Sequence, residues 1–162
     1  MGRDAVLGVN LAAGIAYLAI VDRPLVADIM HVEKVVPPTN VDEWDRLLQF
    51  GQQMVVAARA CDAVRVVFAE PRRANQWAYS DASDRGALQT AAALALRADG
   101  REIAVLHPKS AASALGFGNS ISAMDEGIAG ILKLDVSTVK HWDKRHPAFS
   151  VAAAVAKRIW NG

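Results

Sequence analysis

Glu70 is the acidic side chain whose position in the sequence best suits chemistry, because it directly follows the apolar run at residues 64–69 (VRVVFA). This compact, β-branched run predicts a strand that is buried on both faces. Ligands and reactive groups of α/β proteins gather where such strands end, so Glu70 is a candidate catalytic acid and metal ligand. The alternative is a solvated acid at a strand end that pairs with Arg72 or Arg73.

Asn10 and His146 are two further candidates for a reactive site. Asn10 follows the first apolar run, at residues 5–9, and His146 directly precedes Pro147 at the predicted start of the last helix. An imidazole binds metals and transfers protons near neutral pH. The amide oxygen of an asparagine can coordinate a hard cation but adds no negative charge. His146 is also compatible with a helix cap or a surface histidine that has no chemical role.

The segment after Glu70 combines basic, amide and aromatic side chains. Arg72, Arg73 and Asn75 carry groups that hold phosphates, and the ring of Trp77 can stack on an unpaired base. This combination is typical of a nucleic-acid contact. The alternative is that Trp77 packs under the loop as part of the core.

The start of the chain is predicted to form three antiparallel strands. They occupy residues 5–9, 15–21 and 25–36, because each of these runs is apolar and bounded by turn-forming residues. Residues 10–14 are small and turn-forming, which places the first turn there. The prolines at residues 37–38 end the third strand, because proline cannot extend a ladder of hydrogen bonds.

The remainder of the chain alternates helices and strands. Asn40 and Glu43 have the spacing of a capping box, which predicts the start of the first helix. The later part is mostly helical, and Pro147 is predicted to lie in the first turn of the last helix. This order predicts a single mixed α/β domain over residues 1–162. Between these helices the pattern predicts, in order, a strand at 64–69, a helix at 84–97 and a strand at 101–106.

Composition excludes several classes of protein. The 162 residues are 52% hydrophobic and 22% charged, as in soluble globular domains, and no apolar run approaches the ~20 residues of a membrane span. The one cysteine, Cys61, excludes an internal disulfide and a cysteine-based zinc site. A reducing compartment fits this cysteine usage, and Asp4 stands where a secretion signal has a basic region. We therefore expect a cytoplasmic protein.

The formal net charge of +1 gives no global sign of a polyanion partner, but the charge is uneven. Residues 1–70 carry six basic and nine acidic side chains, whereas residues 71–162 carry twelve basic and eight acidic ones. A polyanion would accordingly meet the second part of the chain.

Several short segments of the sequence are similar to segments of a known family and occur in the same order along the chain. The first is VLGVNLAAG at residues 6–14, where that family has an aspartate in place of Asn10. VVFAE at residues 66–70 is similar to the strand that ends in the family's second catalytic carboxylate. The chain thus resembles the RuvC-type Holliday junction resolvases of the ribonuclease H-like superfamily, over nearly its whole length. The other similar strings are DRGA at 84–87, HPKS at 107–110, LGFGN at 115–119 and the alanine-rich helix at 148–156.

The resemblance implies a fold and a set of partners. The fold is a five-stranded mixed sheet with its first three strands antiparallel, flanked by helices. The partners are branched DNA and a second copy of the chain in a homodimer. Lys109, in the HPKS string, would contact phosphates together with Arg72 and Arg73.

The resemblance also implies a catalytic site with two Mg²⁺ or Mn²⁺ ions about 4 Å apart, held by four carboxylates. Here Asn10 stands at the first position and Glu70 at the second, so these two are the implied metal ligands. The final pair corresponds to His146 and Phe149, or, with a shift of one residue, to Pro147 and Ser150. Asn10, Glu70 and His146 are thus the implied catalytic residues, and three of the four acids are missing.

Three features would restore negative charge to the site. The first is that Asn10 is an introduced replacement of an aspartate. The second is that Asp143 approaches from the segment before His146, and the third is that Asp22 contributes from the end of the second strand. Because Mg²⁺ prefers anionic oxygen ligands, we expect impaired catalysis without such an addition.

Three functions remain open. The leading hypothesis is a RuvC-like protein that recognises branched or structured nucleic acid through a degenerate catalytic site. An active Mg²⁺- or Mn²⁺-dependent endonuclease would use Glu70, His146 and an acid not identified in the sequence. A protein-interaction scaffold without nucleic acid is the third, and the near-neutral charge favours it modestly.

Overall fold

The computed structural model describes residues 4–22, 25–28, 32–71 and 79–161. The strands in this part of the chain are β1 (Val6–Ala12), β2 (Ile15–Asp22), β3 (Val26–Asp28), β4 (Lys34–Val35), β5 (Arg65–Ala69) and β6 (Glu102–Leu106). The helices are α1 (Glu43–Ala60), α2 (Tyr79–Ala98), α3 (Pro108–Ala114), α4 (Ile121–Ile131) and α5 (Trp142–Asn161), with a 3-10 turn at Val136–Thr138 between the last two.

The strands form one mixed sheet in the order β3-β2-β1-β5-β6, with β4 also paired to β2. β2 is antiparallel to both β1 and β3, whereas β5 is parallel to both β1 and β6. The predicted mixed sheet with three antiparallel opening strands is therefore confirmed. The described strands number six rather than five, because β3 and β4 pair separately with β2 where one strand at 25–36 was predicted.

The turn between β1 and β2 is shorter than predicted. Ala13 and Gly14 have φ angles of 52° and 75°, the positive values of a tight two-residue hairpin turn. Asn10 consequently lies within β1, opposite Tyr17, and not in the turn predicted at residues 10–14. The hairpin extends β1 towards its carboxyl end and fixes the direction of Asn10.

Three predicted helix starts are wrong. α2 begins at Tyr79, five residues before the predicted start at residue 84. α1 is capped by Asp42, whose side chain accepts a hydrogen bond from the backbone N–H of Asp45 at 2.9 Å, and not by Asn40. α5 begins at Trp142, so Pro147 lies inside the helix. A proline there removes the hydrogen bond to the carbonyl of Asp143 and crowds that carbonyl, but Asp143 is an exposed residue in the first turn, and the helix continues through Pro147.

The sheet separates two apolar layers. On one face β1 and β5 pack against α5 together with α3 and α4, and on the other they pack against α1 and α2. The approach of α5 is close, because a Cβ placed on Gly8 would lie 2.0 Å from the carbonyl oxygen of Ala148. This contact fixes the second turn of α5 against the middle of β1.

Candidate functional site

The carboxyl ends of β1 and β5 lie side by side. The strands are parallel with Val9 opposite Phe68, so Asn10 near the end of β1 and Glu70 directly after β5 reach the same edge of the sheet. The family resemblance implied that these two residues are neighbours. We refer to this part of the molecule, where β1, β5, α2 and α5 meet, as the sheet edge.

Arg85 of α2 ties the two strand ends together. Its guanidinium donates one hydrogen bond to the carbonyl of Leu11 and another, of 2.5 Å, to the carbonyl of Ala69. Burial lowers the pKa of Arg85 to about 10, which leaves the group protonated at neutral pH. Arg85 is part of the DRGA string, but no local spacing in the sequence indicated this role, since its two partners lie on different strands.

Asn10 contacts the start of α5. Its amide Nδ2 donates a hydrogen bond of 2.8 Å to the backbone carbonyl of Lys144. A carboxylate at this position has no proton to donate to that carbonyl. The contact therefore uses the property in which asparagine differs from aspartate.

His146 pairs with an acid that the sequence reasoning missed. Its Nδ1 lies 3.5 Å from Oδ1 of Asp125 on α4, and its ring centroid lies 5.9 Å from that of Trp142. Both partners of the pair are half-buried. Asp125 is distant in sequence from His146, so no motif pointed to it.

Phe149 and Ser150 lie in the core, with no exposed surface. The ring of Phe149 packs against Trp142 at a centroid distance of 5.7 Å and against the guanidinium of Arg145 at 5.1 Å. Neither alternative position for the fourth carboxylate therefore offers a solvated ligand. Pro147 is buried as well and has no side-chain donor atom.

Arg145 anchors the start of α5 to β2. Its Nε donates a hydrogen bond of 2.7 Å to the carbonyl of Leu18, and 2% of the residue is exposed. Burial lowers the pKa of Arg145, and the charge of Glu33 opposes this shift. This cation fixes the helix that carries His146.

Neither of the two additional acids suggested by the sequence belongs to a metal-binding cluster in the described part of the chain. Asp22 ends β2, which runs antiparallel to β1, so Asp22 is at the opposite edge of the sheet. Asp143 is exposed in the first turn of α5. Among the described residues, no group of three or more His, Cys, Asp and Glu side chains is close enough to hold a metal ion. The donors in the described part of the chain therefore do not fit the two divalent ions that the resemblance implies.

A cavity of about 440 Å³ opens at the sheet edge beside the β1–β2 turn. Asp84, Arg85 and Lys144 contribute its charged walls, and Leu11–Gly14 supplies backbone. Asp84 accepts a hydrogen bond of 2.9 Å from Arg46, which offsets its negative charge. The balance of charge around this cavity is positive and favours an anionic ligand.

The predicted phosphate contacts fall into two groups. Arg72, Arg73, Asn75 and Trp77 lie outside the described residues. Lys109 is exposed in the first turn of α3, where its backbone N–H donates to Nδ1 of His107 at 3.1 Å. No described helix has the length and apolar composition that crossing a membrane requires.

No profile of a known protein family matches the chain, and no characterised protein matches it in sequence. Solved structures do match. Thermus thermophilus RuvC in complex with a Holliday junction substrate superposes with a TM-score of 0.72 at 19% identity, covering 98% of this chain and 96% of that one. Another Thermus thermophilus RuvC structure gives a TM-score of 0.71 at 20% identity, with coverages of 98% and 96%.

A mitochondrial Holliday junction resolvase from yeast also matches, with a TM-score of 0.57 at 14% identity, covering 96% of this chain and 78% of that one. These likenesses span almost the entire chain. At such low identity they establish architecture and leave residue roles to be argued from the site. The chain therefore has the fold of the RuvC Holliday junction resolvases, a ribonuclease H-like mixed sheet flanked by helices.

Proposed function

We propose that this chain is a RuvC-fold protein that recognises branched or structured nucleic acid, branched DNA foremost, and that its hydrolytic site is impaired. The observation that carries the proposal is the composition of the sheet edge. Glu70 is its one acid at the four positions that the resemblance assigns to carboxylates, and Asn10 replaces the first of them.

The case for nucleic acid rests on fold and charge. One structure with the same architecture is a RuvC bound to a Holliday junction substrate. In this chain Arg85 and Lys144 line the cavity at the sheet edge. Asp84, the acid that lines the same cavity, forms an ion pair with Arg46. Phosphates supply most of the affinity of nucleic-acid complexes, so a cationic cavity is the feature that such a ligand requires.

The case for impaired hydrolysis is electrostatic. Two divalent ions bring four positive charges, and a site for them needs anionic oxygens. Asn10 is neutral and donates its amide to α5, while Phe149 and Ser150 are enclosed in the core. We therefore assign no hydrolytic step to these residues. We propose a cytoplasmic protein that binds nucleic acid without cleaving it efficiently.

We also propose that the protein is a homodimer, joined through the face formed by α1 and α2. Trp44, Leu48 and Leu94 are 81%, 60% and 66% exposed on this face and surround a depression of about 700 Å³. Exposed apolar patches of this kind mark association surfaces. A two-fold dimer buries the same patch of both copies, so a second chain seated here would cover this face on both. A single-chain mass in light scattering at micromolar concentration would contradict the dimer.

The experiment that tests the binding function compares a four-way DNA junction with a linear duplex of equal length. We expect fluorescence anisotropy to give tighter binding to the junction, with an affinity that falls as salt rises. Absence of binding at low salt would refute the proposal and favour the protein-interaction scaffold.

The same junction tests hydrolysis when it is incubated with Mg²⁺ or Mn²⁺. We expect the wild type to bind the junction without cutting it, so that its cleavage is no greater than that of the Glu70→Gln variant. Cleavage by the wild type that the Glu70→Gln variant loses would instead establish an active endonuclease.

A further inference from the structure

A second basic surface lies between α3 and the end of α5. It is a groove of about 680 Å³ whose charged walls are Lys109, Lys157 and Arg158. Its neutral polar walls are Ser110, Ser113 and Asn119. We call these six residues the α3–α5 groove.

The sequence explains why these side chains share one face. Lys109 and Ser113 are four residues apart on α3, and Ser110 and Ser113 are three apart, which places all three on one side of the helix. Lys157 and Arg158 are adjacent near the end of α5, which packs against α3. Two helices therefore contribute cations and hydroxyl groups to the same groove.

The groove has the chemistry of a phosphate site. No acid is among the described residues that line it. Nor does an ion pair join Lys109, Lys157 or Arg158 to an acid in the described part of the chain. Glu102, which lines a neighbouring depression with Arg158, is held by Arg65 at 2.9 Å. Lysine and arginine supply charge to phosphate oxygens, and serine and asparagine donate hydrogen bonds to them.

The α3–α5 groove is distinct from the cavity at the sheet edge, since the two share no lining residue. Lys144 in the first turn of α5 and Lys157 near its end are separated by about 20 Å, because a helix rises about 1.5 Å per residue. One strand of a duplex covers that distance in about six phosphates, at roughly 3.4 Å each. A backbone that passes the sheet edge can therefore reach the groove.

We propose that the α3–α5 groove is a second phosphate-binding site, which holds the backbone of a DNA strand that extends from the sheet edge. This inference rests on the proposed nucleic-acid function and adds to it a contact on another face of the molecule. The groove reads no base sequence, because its groups address phosphates.

The test uses the double variant K157Q/R158Q of the full chain, with a labelled four-way junction titrated across a range of KCl concentrations. Each phosphate contact contributes about 0.9 to the slope of log K against log salt, so we expect a slope that is shallower by about 2. The matched control is K34Q/R97Q, which removes the same charge at exposed residues of β4 and α2. We expect the control to keep the wild-type slope.

Two further variants separate a groove contact from a general effect of charge or folding. S113E places an acid in the groove while all three cations remain, and we expect it to weaken junction binding. K157R/R158K preserves the charge and should restore the wild-type slope.

The inference would be overturned if K157Q/R158Q kept the wild-type slope, or if K34Q/R97Q showed an equal decrease in slope. The proposed function would stand in both cases. Failure of the wild type to bind the junction at low salt would overturn both.

Discussion

Replacement of Asn10 with aspartate tests whether the neutral amide is built into this fold or merely occupies a metal position. The amide Nδ2 donates a 2.8 Å hydrogen bond to the carbonyl of Lys144. Loss of a hydrogen bond of this kind costs about 1 kcal/mol, and a carboxylate set against a carbonyl oxygen adds a repulsion of similar size. We therefore expect Asn10→Asp to lower the free energy of unfolding by about 1–3 kcal/mol at neutral pH.

The pH dependence of this variant has a defined sign. The new carboxyl meets a carbonyl acceptor, so its protonated form is favoured in the folded state and its pKa rises above the unfolded value of about 3.9. A raised pKa means that the stabilising, protonated form is present at low pH and is lost as pH rises through the folded pKa. The defect should therefore shrink between neutral pH and about pH 4 relative to wild type.

The assay is urea denaturation at several pH values, followed by circular dichroism. Asn10→Ala is the matched control, because it removes the same hydrogen bond without adding a charge, and its defect should not depend on pH. The Asn10→Asp variant should also fail to cut a four-way junction in Mn²⁺, since Phe149 and Ser150 remain buried. An aspartate variant as stable as wild type, with metal-dependent cleavage, would refute this reasoning.

Three other variants or probes test the packing of the sheet and its helices. Gly8→Ala should lower thermal stability by about 1–3 kcal/mol, because the new Cβ would lie 2.0 Å from the carbonyl oxygen of Ala148. Gly86→Ala is its control, because nothing lies within 4 Å of the added Cβ, and it should stabilise helix α2 by about 0.5–1 kcal/mol. Equal melting temperatures for the two variants would contradict the close packing of α5. Arg85→Met removes the donors to both strand-end carbonyls and should cost about 1–3 kcal/mol in urea denaturation, whereas a neutral effect would show that the strand ends do not need this tie. Burial raises the pKa of the Cys61 thiol, so Ellman's reagent at pH 8 should react with it only on unfolding, and rapid reaction of the native protein would disprove its burial.

The sheet and its order were accessible to sequence reasoning because they follow from local patterns. The apolar runs and the bounding turn residues predicted the antiparallel opening and the buried strand before Glu70. The extent of β1 was misjudged because small residues suit both strands and turns. Only the positive φ angles of Ala13 and Gly14 show that the turn needs two residues.

The contacts at the candidate site could not be predicted in the same way. The pair of Asp125 with His146 and the two bonds of Arg85 join residues that are far apart in sequence. Pro147 indicated a helix start by its chemistry, whereas the buried guanidinium of Arg145 fixes the turn before it. Tertiary packing decided each of these, and a single sequence carries no record of it.

Crystals soaked in Mn²⁺, with anomalous diffraction recorded near Glu70, test most directly whether the sheet edge holds too little negative charge for two-metal chemistry. We expect no pair of ordered ions there. Two anomalous peaks about 4 Å apart, one of them bound to the carboxylate of Glu70, would contradict it.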